Sequence, residues 1–262
     1  MVMVTEMADY DARRPKRRGW LDLLRYLGGL LGPVIISAAI TASIAVSECQ
    51  RAQGQQRIED DRARQDVLQS YIQDMTELLL NKGLATSEPD QPIRDIARSS
   101  TLAAVRQLDT DRKAILLQFL YESNLITGVD PIISLNGANL SGAFLFRANL
   151  NGANLSGAHL YSSLLRGANL NGTDLTDADL SGANLSSAIL DNAFLSGADL
   201  SFAFLFRANL SDADLRGADL SNARNLTNQQ LAQARSLLGA TLPNGTVMTE
   251  EGWEEFKKLH RK

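Results

Sequence analysis

Leucine recurs at every fifth position from Leu135 to Leu220 without a miss. Two residues before each leucine from Leu140 on stands a small residue, nearly always alanine: Ala138, Ala143, Ala148, Ala153 and Ala158, then Ser163, Ala168, Thr173 and onward. Between the two is usually Asn or Asp. A period of five fits neither a helix (3.6 residues per turn) nor a flat strand (period 2). It requires a coil that turns a corner every five residues. Residues two apart on an extended segment point to the same side, so alanine and leucine share the interior. The Asn or Asp between them, and the two residues after leucine, face water. Glycine recurs at the last position of the unit, as in Gly137 and Gly142, where a corner needs permissive dihedrals.

The A-(N/D)-L-x-x array resembles the pentapeptide-repeat family. That resemblance implies a right-handed quadrilateral β-helix, a solenoid with four repeats per coil, in a chain that is mainly β. Eighteen repeats then make a rod of about 4.5 coils and roughly 22 Å at the spacing of stacked strands. Each interior leucine contributes on the order of 1.5–3 kcal/mol of transfer free energy, and stability is largely a nearest-neighbour quantity between coils. The fold does not name a function.

Composition excludes more than it assigns. The net charge of −4 argues against bulk nucleic-acid binding, and the single cysteine, Cys49, excludes an intrachain disulfide. The only histidines are His159 and His260. The spacings of zinc proteases, redox dithiols, phosphate-binding loops and serine hydrolases are missing. No catalytic, cofactor-binding or metal site is expected, and the chain reads as a non-enzyme.

The segment 1–25 is basic, with Arg13, Arg14, Lys16, Arg17 and Arg18 close together. Residues 26–47 carry no charge and include Val34, Ile35, Ile36, Ile40, Ile44 and Val46. Their length crosses a hydrocarbon core of about 30 Å, so they read as a single transmembrane helix. A cleaved signal peptide fits less well, because the apolar run is too long. A buried core helix fits less well beside the basic cluster. The positive-inside rule places the N-terminus in the cytoplasm and the array in the periplasm or a lumen. Residues 48–128 read as a helical stalk and helical domain. The polar stretch Gln50–Gln65 forms the stalk, and helices are expected to about Asn81, over Pro92–Leu108 and over Asp111–Ser123. DMTELLLNKGL (74–84) and DRKAILLQFLYESNLI (111–126) resemble a region that precedes pentapeptide arrays in membrane-anchored, notably cyanobacterial, proteins. The β-helix is expected over 131–225. A C-terminal cap follows over 226–262, with a T-x-x-Q capping box at Thr227–Gln230, a turn at Pro243-Asn-Gly245 and an amphipathic last helix bearing Trp253.

With four repeats per coil, the units centred on Leu145, Leu165, Leu185 and Leu205 share one face. AFLFRANL occurs at 143–150 and again at 203–210, three coils apart. The face therefore gathers Phe144, Phe146, Arg147, Leu164, Arg166, Phe204, Phe206 and Arg207, the composition of an interface centre. These residues are the candidate partner-binding site. The alternatives are coverage by the N-terminal helices, self-association into a homo-oligomer, and the membrane surface. A second outward column collects His159, Asp179, Asp199 and Asp219, which reads as solvated surface or a weak cation site.

The leading functional reading is a membrane-anchored protein–protein interaction or scaffold protein, held through 26–47, that binds an unidentified protein and no nucleic acid. The alternative is a DNA mimic that inhibits or protects a DNA-binding enzyme such as gyrase, as some proteins of this family do. Residues 131–225 hold eight Asp against five Arg, a weak charge for a mimic.

Overall fold

The structure is a computed structural model that describes residues 18–128 and 130–260, with side chains from residue 47 onward. Two units divide at Asp61/Arg62. The basic segment 1–25 and all but the last residue of the predicted span 26–47 lie outside the described side chains. Among the described residues no helix is long and apolar enough to cross a membrane.

Helix α1 covers Arg18–Asn81. Within the first unit its residues from Glu48 on are exposed, Cys49 among them. Ile58 is the one large apolar side chain on this stretch, and so polar a surface needs no packing partner. In the second unit the same helix buries Leu68, Tyr71 and Met75, spaced three and four apart on one stripe. A 3-10 turn at Leu84–Thr86 leads to α2 (Pro92–Gln107) and α3 (Thr110–Glu122). Proline opens α2, where its missing N–H costs nothing. Asp109 caps α3 by accepting from the Arg112 N–H at 3.0 Å. Tyr71 and Thr101 share a buried hydrogen bond of 2.7 Å, and burial pushes the Tyr71 phenol well above its ordinary range.

The array follows. Every fifth-position leucine from Leu135 to Leu220 is buried, and with the buried residues of α1, α2 and α3 they form one apolar cluster. Stacking runs at a constant step of twenty residues: Asn139 bridges His159, Asn154 bridges Asp174 and Asp179 bridges Asp199, all parallel. Four five-residue sides therefore close each coil. At each corner the leucine carbonyl accepts from the small residue three positions on, as in Ala138 N–H to Leu135 at 3.0 Å. The residue before that small residue has positive φ throughout the array. Nine corners use glycine; the others hold residues such as Arg147 (54°), Phe202 (58°) and Arg207 (56°). Corners consume so much of each unit that one residue per side pairs with both neighbouring coils. Isolated bridges result, and among the described residues no continuous strand forms. The mainly β expectation is corrected accordingly to a solenoid of one-residue bridges set between helices.

Both ends of the array meet other elements. Phe144 N–H donates to the Thr110 carbonyl at 3.3 Å, and the Arg98 guanidinium to the Asn136 carbonyl at 3.0 Å. At the far end α4 (Asn228–Ala232) starts with the expected Thr227/Gln230 capping box. The Gln230 amide also donates to the carbonyls of Leu205 and Ala208. The coil then resumes beyond the predicted limit of residue 225. Asp214 bridges Ser236 and Asp219 bridges Thr241, two residues beyond the usual step, because α4 inserts into the period. After the Pro243-Asn-Gly245 turn, α5 (Glu250–His260) buries Trp253 against the array end, with Phe256 stacked on it at 6.0 Å.

Candidate partner-binding face

The bridges Leu164–Asn184, Asn184–Phe204 and Phe204–Arg224 put these residues in one outward column, and the Leu164 N–H to Ala143 carbonyl bond places Phe144 beneath it. The candidate residues thus share a face and its following corner. Phe144, Phe146, Leu164 and Phe206 are 46%, 55%, 38% and 50% exposed, and Phe204 is half-buried. Arg147, Arg166 and Arg207 are exposed at the corner. The helices border these rings without covering them. Guanidinium groups lie over ring faces in three pairs, Arg147–Phe146, Arg207–Phe206 and Arg224–Phe204, each 5.1 Å from the centroid. Such pairs hold the charge outward and flatten the apolar surface. Tyr161 and Phe202, exposed at 56% and 50%, edge the same face from the preceding corner.

The face has two apolar bands, since Asn184 and Ser186 interrupt it midway. The lower band continues onto α3. A shallow groove of about 420 Å³ is lined by Ile115, Phe119 and Glu122 of α3 together with Phe144, Phe146 and Arg147. Ile115 is 52% exposed. Sequence reasoning missed Ile115 and Phe119 because it assigned the apolar residues of α3 to a core. Their only signal is that α3 carries more large apolar residues than one buried stripe accommodates.

What sets this face apart is the backbone beneath it. Every Asn or Asp at the centre of a repeat accepts, through Oδ1, the N–H two residues on, at 2.8–3.3 Å. This Asx bond satisfies the corner N–H that no coil neighbour reaches. Phe144, Leu164 and Phe204 have no oxygen to offer, so the N–H groups of Phe146, Arg166 and Phe206 lack that cap. His159, Ile189 and Phe194 interrupt the rule once on each of the other three faces. Only here do the lapses accumulate.

Charge is segregated as well. Of the five arginines in 131–225, Arg216 is paired with the buried Asp214. Arg147, Arg166, Arg207 and Arg224 all belong to the aromatic face, which carries no Asp or Glu at its centre or corners. In the acidic column, Asp179, Asp199 and Asp219 each spend Oδ1 on the N–H of Ser181, Ser201 and Ser221. Their alignment follows from the coil. Among the described residues no group of three His, Cys, Asp or Glu side chains is placed to hold a metal ion.

A coil of four five-residue sides, stacked at a twenty-residue step around stacked leucines, defines a class of solenoid. The profile of the family described as Pentapeptide repeats matches in eight copies, over 133–167, 163–201, 178–222 and 203–234. The array belongs to that family. Similar solved structures include a pentapeptide repeat protein (Rfr23) from the cyanobacterium Cyanothece 51142, 30% identical over 46% of this chain and 66% of that one, with a TM-score of 0.25. HetL, a pentapeptide repeat protein involved in heterocyst differentiation regulation in the cyanobacterium Nostoc sp. strain PCC 7120, is 37% identical over 44% of this chain and 60% of its own, with a TM-score of 0.17. The pentapeptide repeat protein alr5209 from Nostoc PCC 7120 is 34% identical over 43% of this chain and 81% of its own, with a TM-score of 0.25. The chain thus spans less than two thirds of the first two. No curated protein matches it.

Proposed function

We propose that the chain is a non-enzymatic, membrane-anchored interaction protein whose right-handed rod presents the Phe–Arg face to a protein partner. The observation that carries this reading is the gathering of exposed Phe144, Phe146 and Phe206 beside Arg147 and Arg207 on one side of the coil, whereas Ile189 and Phe194 stand singly on two other sides. Apolar side chains collected into a patch on a rigid support usually meet a partner. The uncharged run 26–47, preceded by the basic segment 1–25, supports a single crossing with the N-terminus in the cytoplasm and the rod in the periplasm or a lumen. Mimicry of duplex DNA is not favoured, since the most exposed apolar face is also the most basic.

Two measurements test the two halves. Phe146→Ser with Phe206→Ser removes the bands at surface positions, and a co-purifying protein is expected to be lost; retention of that protein contradicts the docking reading. For the anchor, Cys49→Ser with Gln56→Cys leaves one thiol just after the span. Labelling of intact cells by a membrane-impermeant maleimide is expected, and labelling only after lysis overturns the orientation.

A further inference from the structure

Resting on the docking reading above, we infer that the Phe–Arg face recognises carboxylates, and that its partner is an acidic peptide segment carrying aliphatic or aromatic side chains between its acids. On every Asx-bearing repeat the corner N–H is met by a carboxylate or amide oxygen of the chain itself. At Phe146, Arg166 and Phe206 that oxygen is missing, and a guanidinium stands at the same corner: Arg147, Arg166 itself and Arg207. A backbone N–H beside a guanidinium is a donor pair for one carboxylate, and charge-assisted bonds of this kind are the strong ones. A partner's Asp or Glu takes the place that Asp179 or Asp199 fills in cis on another face. Coil spacing sets these corners about 5 Å apart for adjacent coils and about 14 Å apart for Phe146 and Phe206. The rings between them seat the partner's apolar side chains.

Three features agree with an acidic occupant in particular. The coil side of the face carries four arginines and no acid, on an array that is acidic as a whole, and Glu122 of α3 is the one carboxylate lining the groove at its lower band. Two of those arginines, Arg147 and Arg207, occupy positive-φ corners where glycine stands at the equivalent Gly167, so the charge is placed there against local backbone preference. Each of these two lies over the ring that precedes it, which desolvates one side of the guanidinium and leaves its edge to bind.

The test is selection of displayed short random peptides on the full chain in detergent micelles, with Phe146→Ser/Phe206→Ser and Arg147→Gln/Arg207→Gln variants in parallel. The expected result is enrichment of peptides rich in Asp or Glu interleaved with apolar residues. Their binding should fall about tenfold or more in either double variant, and their presence should slow amide exchange at Phe146 and Phe206. Peptides that need the phenylalanines, carry no acidic excess and tolerate Arg→Gln would overturn the carboxylate inference and leave the docking reading standing. Absence of any phenylalanine-dependent peptide would overturn both. Two controls use the same variants. Arginine-dependent flotation with phosphatidylserine vesicles, or arginine-dependent dimerisation in sedimentation velocity, in either case without acidic-peptide binding, would replace the inferred partner by lipid or by a second copy.

Discussion

Two faces of one coil share an interior and differ in how they finish their corners. The face centred on Leu160, Leu180 and Leu200 carries His159, Asp179 and Asp199 outward, and its aspartates cap the next corner of their own chain. The face centred on Leu165, Leu185 and Leu205 carries Leu164, Asn184 and Phe204, and only Asn184 does so. Local self-sufficiency on the first face and its absence on the second separate scaffold from surface. Acidic residues that look available are committed to the fold, and the apolar residues that replace them elsewhere leave backbone donors open.

The interior is the same on both faces, with Leu180 and Leu185 equally buried. Leu180→Ala and Leu185→Ala are each expected to cost about 2–5 kcal/mol in urea unfolding, with similar values for the two. A large difference would show that one face owes its stability to something outside the coil. Within the second face, Ser163 takes an alanine position and its buried Oγ has no hydrogen-bond partner. Thr173, at the corresponding place on a different side, donates to the Leu150 carbonyl at 2.8 Å. Ser163→Ala is expected to stabilise by about 1 kcal/mol and Thr173→Ala to destabilise.

Asp199→Ala should cost about 1 kcal/mol through loss of the bond to Ser201 N–H, and Asp199→Asn should cost much less, because Oδ1 remains. Equal losses would mean that the charge matters and the Asx bond does not. A smaller effect sharpens the contrast between committed and available charges. Hydrogen bonding from the Arg216 guanidinium holds the buried Asp214 carboxyl below the usual carboxylate range, against the opposing effect of burial. A depressed folded pKa contributes stability above the unfolded value and loses it as pH falls through the folded value. Unfolding midpoints should therefore drop on acidification below about pH 4, and Asp214→Asn should flatten that drop. An unchanged slope in the variant would assign the acid sensitivity to other carboxylates.

The interior and the sharing of faces were legible in the sequence, because leucine at every fifth position allows one filling, and AFLFRANL repeated after a whole number of coils lands on one face. The purpose of Asn and Asp was not. Their pattern is the same for a residue that merely faces water and for one that caps a corner; only the corner geometry separates the two. The last stretch of coil, with Ser236 and Thr241, was hidden by the two residues that α4 adds to the period. The groove beside Ile115 and Phe119 depends on where α3 packs, which no repeat encodes. A mainly β solenoid was expected from the family resemblance, and the corners leave each side only a one-residue bridge.

Amide hydrogen exchange in the isolated protein tests the central contrast most directly. The N–H groups of Ser181, Ser201 and Ser221, met by aspartate oxygens at 2.8–3.0 Å, should exchange about five- to tenfold more slowly than those of Phe146, Arg166 and Phe206, the ratio that a hydrogen bond of about 1 kcal/mol supplies. Equal protection at the two sets would contradict the account, since the Phe–Arg face would then have acceptors of its own and no vacancy for a partner to fill.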